Sequence, residues 1–172
     1  MVSTFVILGS HRNPSHTRDF LEAVFAGALP SVADLLEHEI AAYEYSAVYP
    51  EQDDFFRLAD QLLLHDRLIF ATPVYWYAMS GRMKNFFDRL TDLVTTRKAM
   101  GRQLQGKAVF VLAVGADAGL PAGFLVPFAS TAAYFGMQYG GSIYACSKAS
   151  TFPKEHPEEM RLFRLAVAKG CA

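Results

Sequence analysis

Short runs of apolar residues without polar alternation recur along this chain, and stretches whose apolar residues fall at helical spacing separate them. Val2 to Leu8, Arg67 to Ala71 and Lys107 to Val114 are too short for buried helices and too continuous for strands with one wet face. A strand that is apolar on both sides must be covered on both sides. The intervening stretches supply the cover. Phe20, Leu21, Val24, Phe25 and Ala28 form one stripe, which Gly27 to Pro30 ends. Phe55, Phe56, Ala59, Leu62 and Leu63 form a second, with Asp53 and Asp54 where a helix start favours carboxylates. Met83, Phe86, Phe87, Leu90 and Val94 form a third, on a helix from about Ser80. A helix near Phe124 to Phe135, a strand near Gln138 to Cys146 and a helix near Pro157 to Lys169 complete the alternation. A weaker edge strand is expected at Glu37 to Ser46, where Ile40, Tyr43 and Tyr45 mix with acidic residues, and Thr72 to Tyr77 reads as a loop. Five strands alternating with five helices predict a parallel sheet wound by right-handed crossovers, with helices on both faces.

The 172 residues suit one domain, 1–172. Hydrophobic residues at 52% exclude a disordered chain, and a net charge of −1 without basic runs excludes a nucleic-acid or anionic-membrane footprint. Two cysteines and no C-x-x-C pair argue against a disulfide framework and for a reducing, cytoplasmic home, and the first residues lack a signal-peptide pattern. Ala118 to Ser147 carries no charge over a length able to span a bilayer. Pro121, Gly123, Pro127, Gly136, Gly140 and Gly141 interrupt it, so a loop, helix and strand are expected there instead of a membrane span.

In a sheet of this kind ligands sit beyond the carboxyl ends of the strands, and the loops there have unusual composition. The first reads Gly9-Ser10-His11-Arg12-Asn13-Pro14-Ser15-His16-Thr17. It places hydroxyls and a guanidinium between a buried strand and a helix start, where free N–H groups and the helix dipole favour an anion such as a phosphate monoester. Ser15 acting only as a cap is the plainer alternative, but a cap leaves Arg12 unexplained. The loop is neither a Walker A sequence nor G-x-G-x-x-G. The second, Thr72 to Gly81, carries Tyr75, Trp76 and Tyr77 in succession, which cannot all face the core. They suit a flat ring, or packing under a helix or in a subunit interface. An anion seat and an aromatic platform at one sheet edge describe a mononucleotide with a large planar base, as in FMN.

These segments, Gly9-Ser10-x-Arg12-x-x-Ser15-x-Thr17 and Thr72-Pro73-Val74-Tyr75-Trp76 continuing into Gly81-x-Met83-Lys84-Asn85-Phe86-Phe87-Asp88-Arg89, resemble the NAD(P)H-dependent FMN reductase and quinone reductase group of the flavodoxin-like superfamily. The resemblance implies a three-layer α/β/α sandwich on a five-stranded parallel sheet of order 2-1-3-4-5. It implies that Ser10, Arg12, Ser15, His16 and Thr17 hold the FMN phosphate. Pro73, Val74, Tyr75, Trp76 and Tyr77 would border the ring, and Ala113, Val114 and Gly115 would flank its other edge or the ribityl chain. This last turn lacks the paired glycines often found there. Lys84, Asp88 and Arg89 are assigned to structure, fixing the loop or an interface. The implied activity is hydride transfer from NADPH or NADH through FMN to a small acceptor, with no catalytic side chain required and a homodimer as the working assembly. His11 and His16 could donate protons to an acceptor, but anion-loop or surface roles are commoner.

Competing readings are weaker. Electron-carrier flavodoxins, which use no nicotinamide, are usually strongly acidic, and this chain is not. A phosphatase or arsenate reductase needs a C-x-x-x-x-x-R loop, and neither the first loop nor the residues after Cys146 provide one, so Cys146 reads as a small buried hydrophobe. His38, His65 and His156 have no metal-ligand spacing and read as surface groups, so no metal is expected.

Overall fold

A computed structural model of the chain describes residues 3–154 and 156–170. Val2 and Cys171 lie outside them. The apolar runs become parallel strands: β1 is Thr4–Leu8, β2 Ser31–Asp34 and β3 Arg67–Tyr75. A two-residue strand β4, Ala78–Met79, follows, then β5, Ala108–Gly115, and β6, Gln138–Cys146. The helices are α1 (His16–Phe25), α2 (Phe55–Leu64), α3 (Gly81–Arg89), α4 (Asp92–Thr95), α5 (Lys98–Arg102), α6 (Val126–Tyr134) and α7 (Pro157–Lys169). The main sheet runs β2-β1-β3-β5-β6, so its five parallel strands have the expected order, and β4 adds only a short antiparallel pairing with β3.

Both faces of the sheet are buried because successive side chains point to opposite sides and both sets are apolar. Phe5, Ile7, Leu68, Phe70, Val109 and Val111 meet Phe55, Phe86 and Phe128 from α2, α3 and α6. Val6, Leu8, Ile69, Ala71, Phe110 and Leu112 meet Phe20, Leu21 and Val24 of α1 and Met160, Phe163 and Val167 of α7. Phe70 contacts three other aromatic rings, at 4.9 Å from Phe87, 6.3 Å from Phe128 and 6.5 Å from Phe86.

Two expectations are corrected. The second strand is Ser31–Asp34, in register from Phe5↔Ser31 to Leu8↔Asp34, and not Glu37 to Ser46. After a single 3-10 turn, Leu35–Glu37, the latter segment is a strap laid across α3. Side chains hold it: Asn85 Nδ2 donates to Ile40 O at 2.7 Å, Arg89 Nη1 to Ala41 O at 3.1 Å, and Ala41 N donates to Asp53 Oδ2 at 2.8 Å. These bonds reach the segment's backbone, so its extended stretch is held without a sheet partner and its residue pattern resembles a weak edge strand. Likewise Thr72 to Tyr75 is strand, not loop. β3 continues past the core with Thr72↔Ala113 and Pro73↔Val114, then turns back so that Val74 pairs with Met79 and Tyr75 with Ala78.

The helical stripe ending at Val94 is broken, since α3 stops at Arg89 and Val94 belongs to the short α4. Ala118 to Ser147 resolves into a loop, α6 and β6, and among the described residues no helix is long and apolar enough to cross a membrane.

Candidate functional site

The carboxyl ends of β1, β3 and β5 share one rim. Gly9 continues β1 by donating its amide to Ala71 O at 2.8 Å. It must be glycine, because a Cβ there would stand 2.9 Å from the Met83 Cβ. The chain then turns through Ser10, 2% exposed, to Ser15, which caps α1 by accepting from Arg18 N at 3.2 Å. The first helical bond runs from Asp19 N to Ser15 O, so the amides of His16 and Thr17 precede the helical ladder and face outward from its positive end.

These groups line a cleft of about 260 Å³. Ser10, Arg12, Ser15, His16 and Thr17 form one side, Pro73, Val74 and Tyr75 the second, Val114 and Gly115 the third. No carboxylate lines it. Arg18 is tied to Asp34 at 2.9 Å, whereas Arg12 makes no ion pair among the described residues and remains available to an anion. Trp76 and Tyr77 do not line this cleft. They border an adjoining depression of about 190 Å³ that shares Val74, Gly115 and Ala116 with it. Both sit at the tip of the β3–β4 hairpin with positive φ, 47° and 67°, and are 91% and 70% exposed. A tight hairpin turn normally uses Asn-Gly for these angles, so two bulky aromatics here carry backbone strain. Ala113 is placed in the core at 0% exposure, behind the cleft wall and not in it.

A fully buried network locks the first loop to the hairpin. Ser80 donates its hydroxyl to Gly9 O and accepts from Met83 N at 3.1 Å, while its amide donates to the Thr72 hydroxyl at 3.1 Å. The Thr72 hydroxyl donates in turn to Pro73 O at 3.1 Å. Ser80 and Thr72 are both 0% exposed. Sequence reading passed over this pair. Ser80 ahead of α3 carries a cap signature, but nothing local discloses a bond to a residue 71 positions earlier. It also passed over Ala116 and Ser147 in the cleft wall, and Tyr144, whose hydroxyl donates to Asp117 O at 2.6 Å beside the aromatic depression. Ala116 and Ser147 follow the ends of β5 and β6 and Tyr144 lies on β6, so their approach depends on the β5–β6 register.

The remaining sequence candidates separate by environment. His11 lies near Tyr75, ring centroids 5.8 Å apart, and His16 meets Phe152 edge-on at 5.2 Å. Lys84 and Asp88 pair on the surface. Arg89 is structural: 0% exposed, it binds Asp53 at 2.7 Å and Asp92 at 2.8 Å, and its guanidinium lies 3.4 Å from the centre of the Tyr49 ring. Burial opposes its charge, but the two carboxylates outweigh that and hold its pKa above the ordinary arginine value. Cys146 is half-buried, its Sγ 3.5 Å from Ala116 O, and is not a core residue. Nor are two of the histidines surface groups: His38 is half-buried with Nδ1 3.3 Å from Asp54, and His65 stacks on Phe5 at 4.9 Å.

A sequence profile of the NADPH-dependent FMN reductase family matches residues 2–150. YwqN of Bacillus subtilis strain 168, which carries the name of an NAD(P)H-dependent FMN-containing oxidoreductase, is 34% identical over 100 residues, 55% of this chain and 54% of its own. The chain spans about half the length of the curated relatives it matches. Among solved structures, the Trp repressor binding protein from Bacillus subtilis superposes with a TM-score of 0.75 at 22% identity, over 99% of this chain and 100% of that one. RosB with a bound 8-demethyl-8-formylriboflavin-5'-phosphate superposes with a TM-score of 0.74 at 17% identity, over 97% of this chain and 77% of its own. These two share the fold. With the family profile running from the first strand to beyond the last, the chain belongs to the NADPH-dependent FMN reductase family.

Proposed function

We propose that this chain binds FMN without a covalent link and passes electrons from NADPH or NADH through it to a small acceptor such as a quinone, an azo compound or another flavin. The observation that carries the reading is the cleft and the depression adjoining it: hydroxyls, a helix N-terminus and an arginine without an ion pair among the described residues at one end, an aromatic hairpin at the other. Family membership and the YwqN match support the cofactor and the donor class.

The residues present fit the group. Ser10, Ser15 and Thr17 bring hydroxyls, His16 and Thr17 bring amides, and Arg12 offers a bidentate fork to a phosphate dianion in a wall without carboxylates. Pro73, Val74 and Tyr75 present a stiff, partly apolar edge for a flat ring, continued by Trp76 and Tyr77. Val114 and Gly115 close the opposite side. Bound there, FMN supplies the electron-transfer chemistry itself. The chain's part is to orient the ring, shield one edge from water with the aromatic hairpin, and leave the other face open to donor and acceptor. No acid or base side chain is assigned to the reaction.

The chain is read as one flavin-binding domain acting as a homodimer. Trp76, Tyr77 and Val126, exposed on the carboxyl side of the sheet, supply apolar surface for pairing. A reducing, cytoplasmic setting suits both the nicotinamide donor and a chain with two cysteines. Anaerobic titration tests the reading. Protein loaded with FMN should lose its flavin absorbance on addition of NADPH or NADH and regain it with a quinone. A protein that takes up no FMN overturns the reading, and one that binds FMN but ignores both nicotinamides is an electron carrier instead.

A further inference from the structure

A depression of about 400 Å³, larger than either part of the flavin cleft and within the range of small-molecule sites, lies at the opposite rim of the sheet. It opens beside the turns that lead into β5 and β6, where Gly106 N donates to Gly136 O at 2.9 Å. The 8 residues of β5 separate this rim from the cleft, roughly 25 Å at strand spacing.

Its floor is preformed. Leu93 is 1% exposed, and Gly101 packs so closely on α4 that a Cβ would stand 2.2 Å from Leu93 O. Its wall is aromatic: Tyr134, 73% exposed, stands edge-on to Phe135 with centroids 5.7 Å apart. Its rim is cationic. Lys98 and Arg102 lie one helical turn apart on α5, where like charges repel. Among the described residues neither makes an ion pair, although Arg18, Arg57, Lys84, Arg89 and Arg161 all do, and no carboxylate lines the depression.

An apolar floor, an exposed aromatic face and two uncompensated cations complement a ligand with a flat hydrophobic body and a negative group. We propose that this depression is a second binding site, distinct from the flavin cleft, for a small planar anion of the aromatic carboxylate class. The anionic group meets Lys98 and Arg102, and the ring lies against Tyr134 and Phe135. The site does not depend on the flavin reading, since no residue of one lines the other.

Isothermal titration of the protein with 1-naphthoate, with and without saturating FMN, tests this. One naphthoate should bind per chain in both states. The double variant Lys98→Glu, Arg102→Glu should weaken it by about tenfold or more, the scale of a lost charge-assisted contact. Tyr134→Ala should weaken it separately. All three substitutions fall on exposed side chains, so melting temperature and FMN affinity should stay at wild-type values, which verifies the fold of each variant. Uncharged 1-naphthalenemethanol should bind far less well. The proposal is overturned if naphthoate gives no heat at millimolar concentration, if the double variant binds it as wild type does, or if the alcohol binds equally. A protein that takes up no FMN yet binds naphthoate in this charge-dependent way loses the flavin reading and keeps this site.

Discussion

Trp76 and Tyr77 occupy the two positions of the molecule where side-chain chemistry and backbone preference conflict most sharply. Positive φ at a bulky aromatic costs of order 1–3 kcal/mol per residue, and both rings remain solvent-exposed. Replacing the pair by Trp76→Asn and Tyr77→Gly fits the turn and should stabilise the fold by about 1–3 kcal/mol, raising Tm by several degrees. The same change removes the flat edge offered to the flavin, so the Kd for FMN should rise by about tenfold or more, on the scale of base–aromatic stacking. Calorimetry and flavin titration read the two effects independently, and a variant that is less stable or binds FMN as tightly counts against the assignment. Charge acts at this scale too. The Ser3 amide and hydroxyl, with help from Lys107 and Arg67, hold Asp66 below the ordinary aspartate pKa. A depressed carboxylate stabilises the fold above its unfolded pKa, and that contribution disappears as pH falls through the lower folded value. Thermal melts from neutral pH down through the carboxylate range should show an acid-side loss that Asp66→Asn diminishes.

Between elements, the informative bonds are those joining segments far apart in sequence. Ser80→Ala breaks the tie from α3 to Gly9 and leaves buried backbone groups short of a partner, a loss of about 1–3 kcal/mol. Because that tie sets the first loop against the hairpin, FMN affinity should fall along with Tm, and Ser80→Thr should recover part of both. A Ser80→Ala protein that binds FMN normally would limit the residue to capping. Arg89→Met strands Asp53 and Asp92, 5% and 1% exposed, without their cation, at a cost of about 3–5 kcal/mol by thermal or urea unfolding. Such ties also mark where sequence reading stops. The strands at β1, β3 and β5 and the helical stripes at Phe20, Phe55 and Met83 were legible because period and burial agree locally. The strap was not, because its backbone is held at Ile40 and Ala41 by side chains of Asn85, Arg89 and Asp53, far from it in sequence or beyond it. The second strand was missed for a related reason: only 4 residues, pinned by pairing with β1, carry no strong pattern of their own.

At the level of the whole molecule, the alternation of strand and helix implies a parallel sheet and the family resemblance implies its order, and the structure brings the β1, β3 and β5 ends onto one rim. The anion-loop residues and Pro73 to Tyr75 were therefore legible as one cleft. The separation of Trp76 and Tyr77 into an adjoining depression, and the retreat of Ala113 into the core, depend on the hairpin and on the β5 register, which only three-dimensional pairing fixes. Sedimentation at micromolar concentration checks the assembly: a dimer is expected, and a 19.0 kDa species alone overturns it.

The strap across α3 leaves the molecule with an unusual freedom. Its anchors at Ile40 and Ala41, like those of Tyr49 and Asp53 after it, involve side chains, and Tyr45 and Val48 between them are 95% and 75% exposed. The Tyr49 hydroxyl closes the turn at Glu44, and a surface turn closed in this way can be lengthened at small entropic expense, since closure entropy grows slowly with loop length. Residues 45–48 are thus a natural place to graft a peptide tag or recognition loop while sheet and cofactor cleft stay as they are.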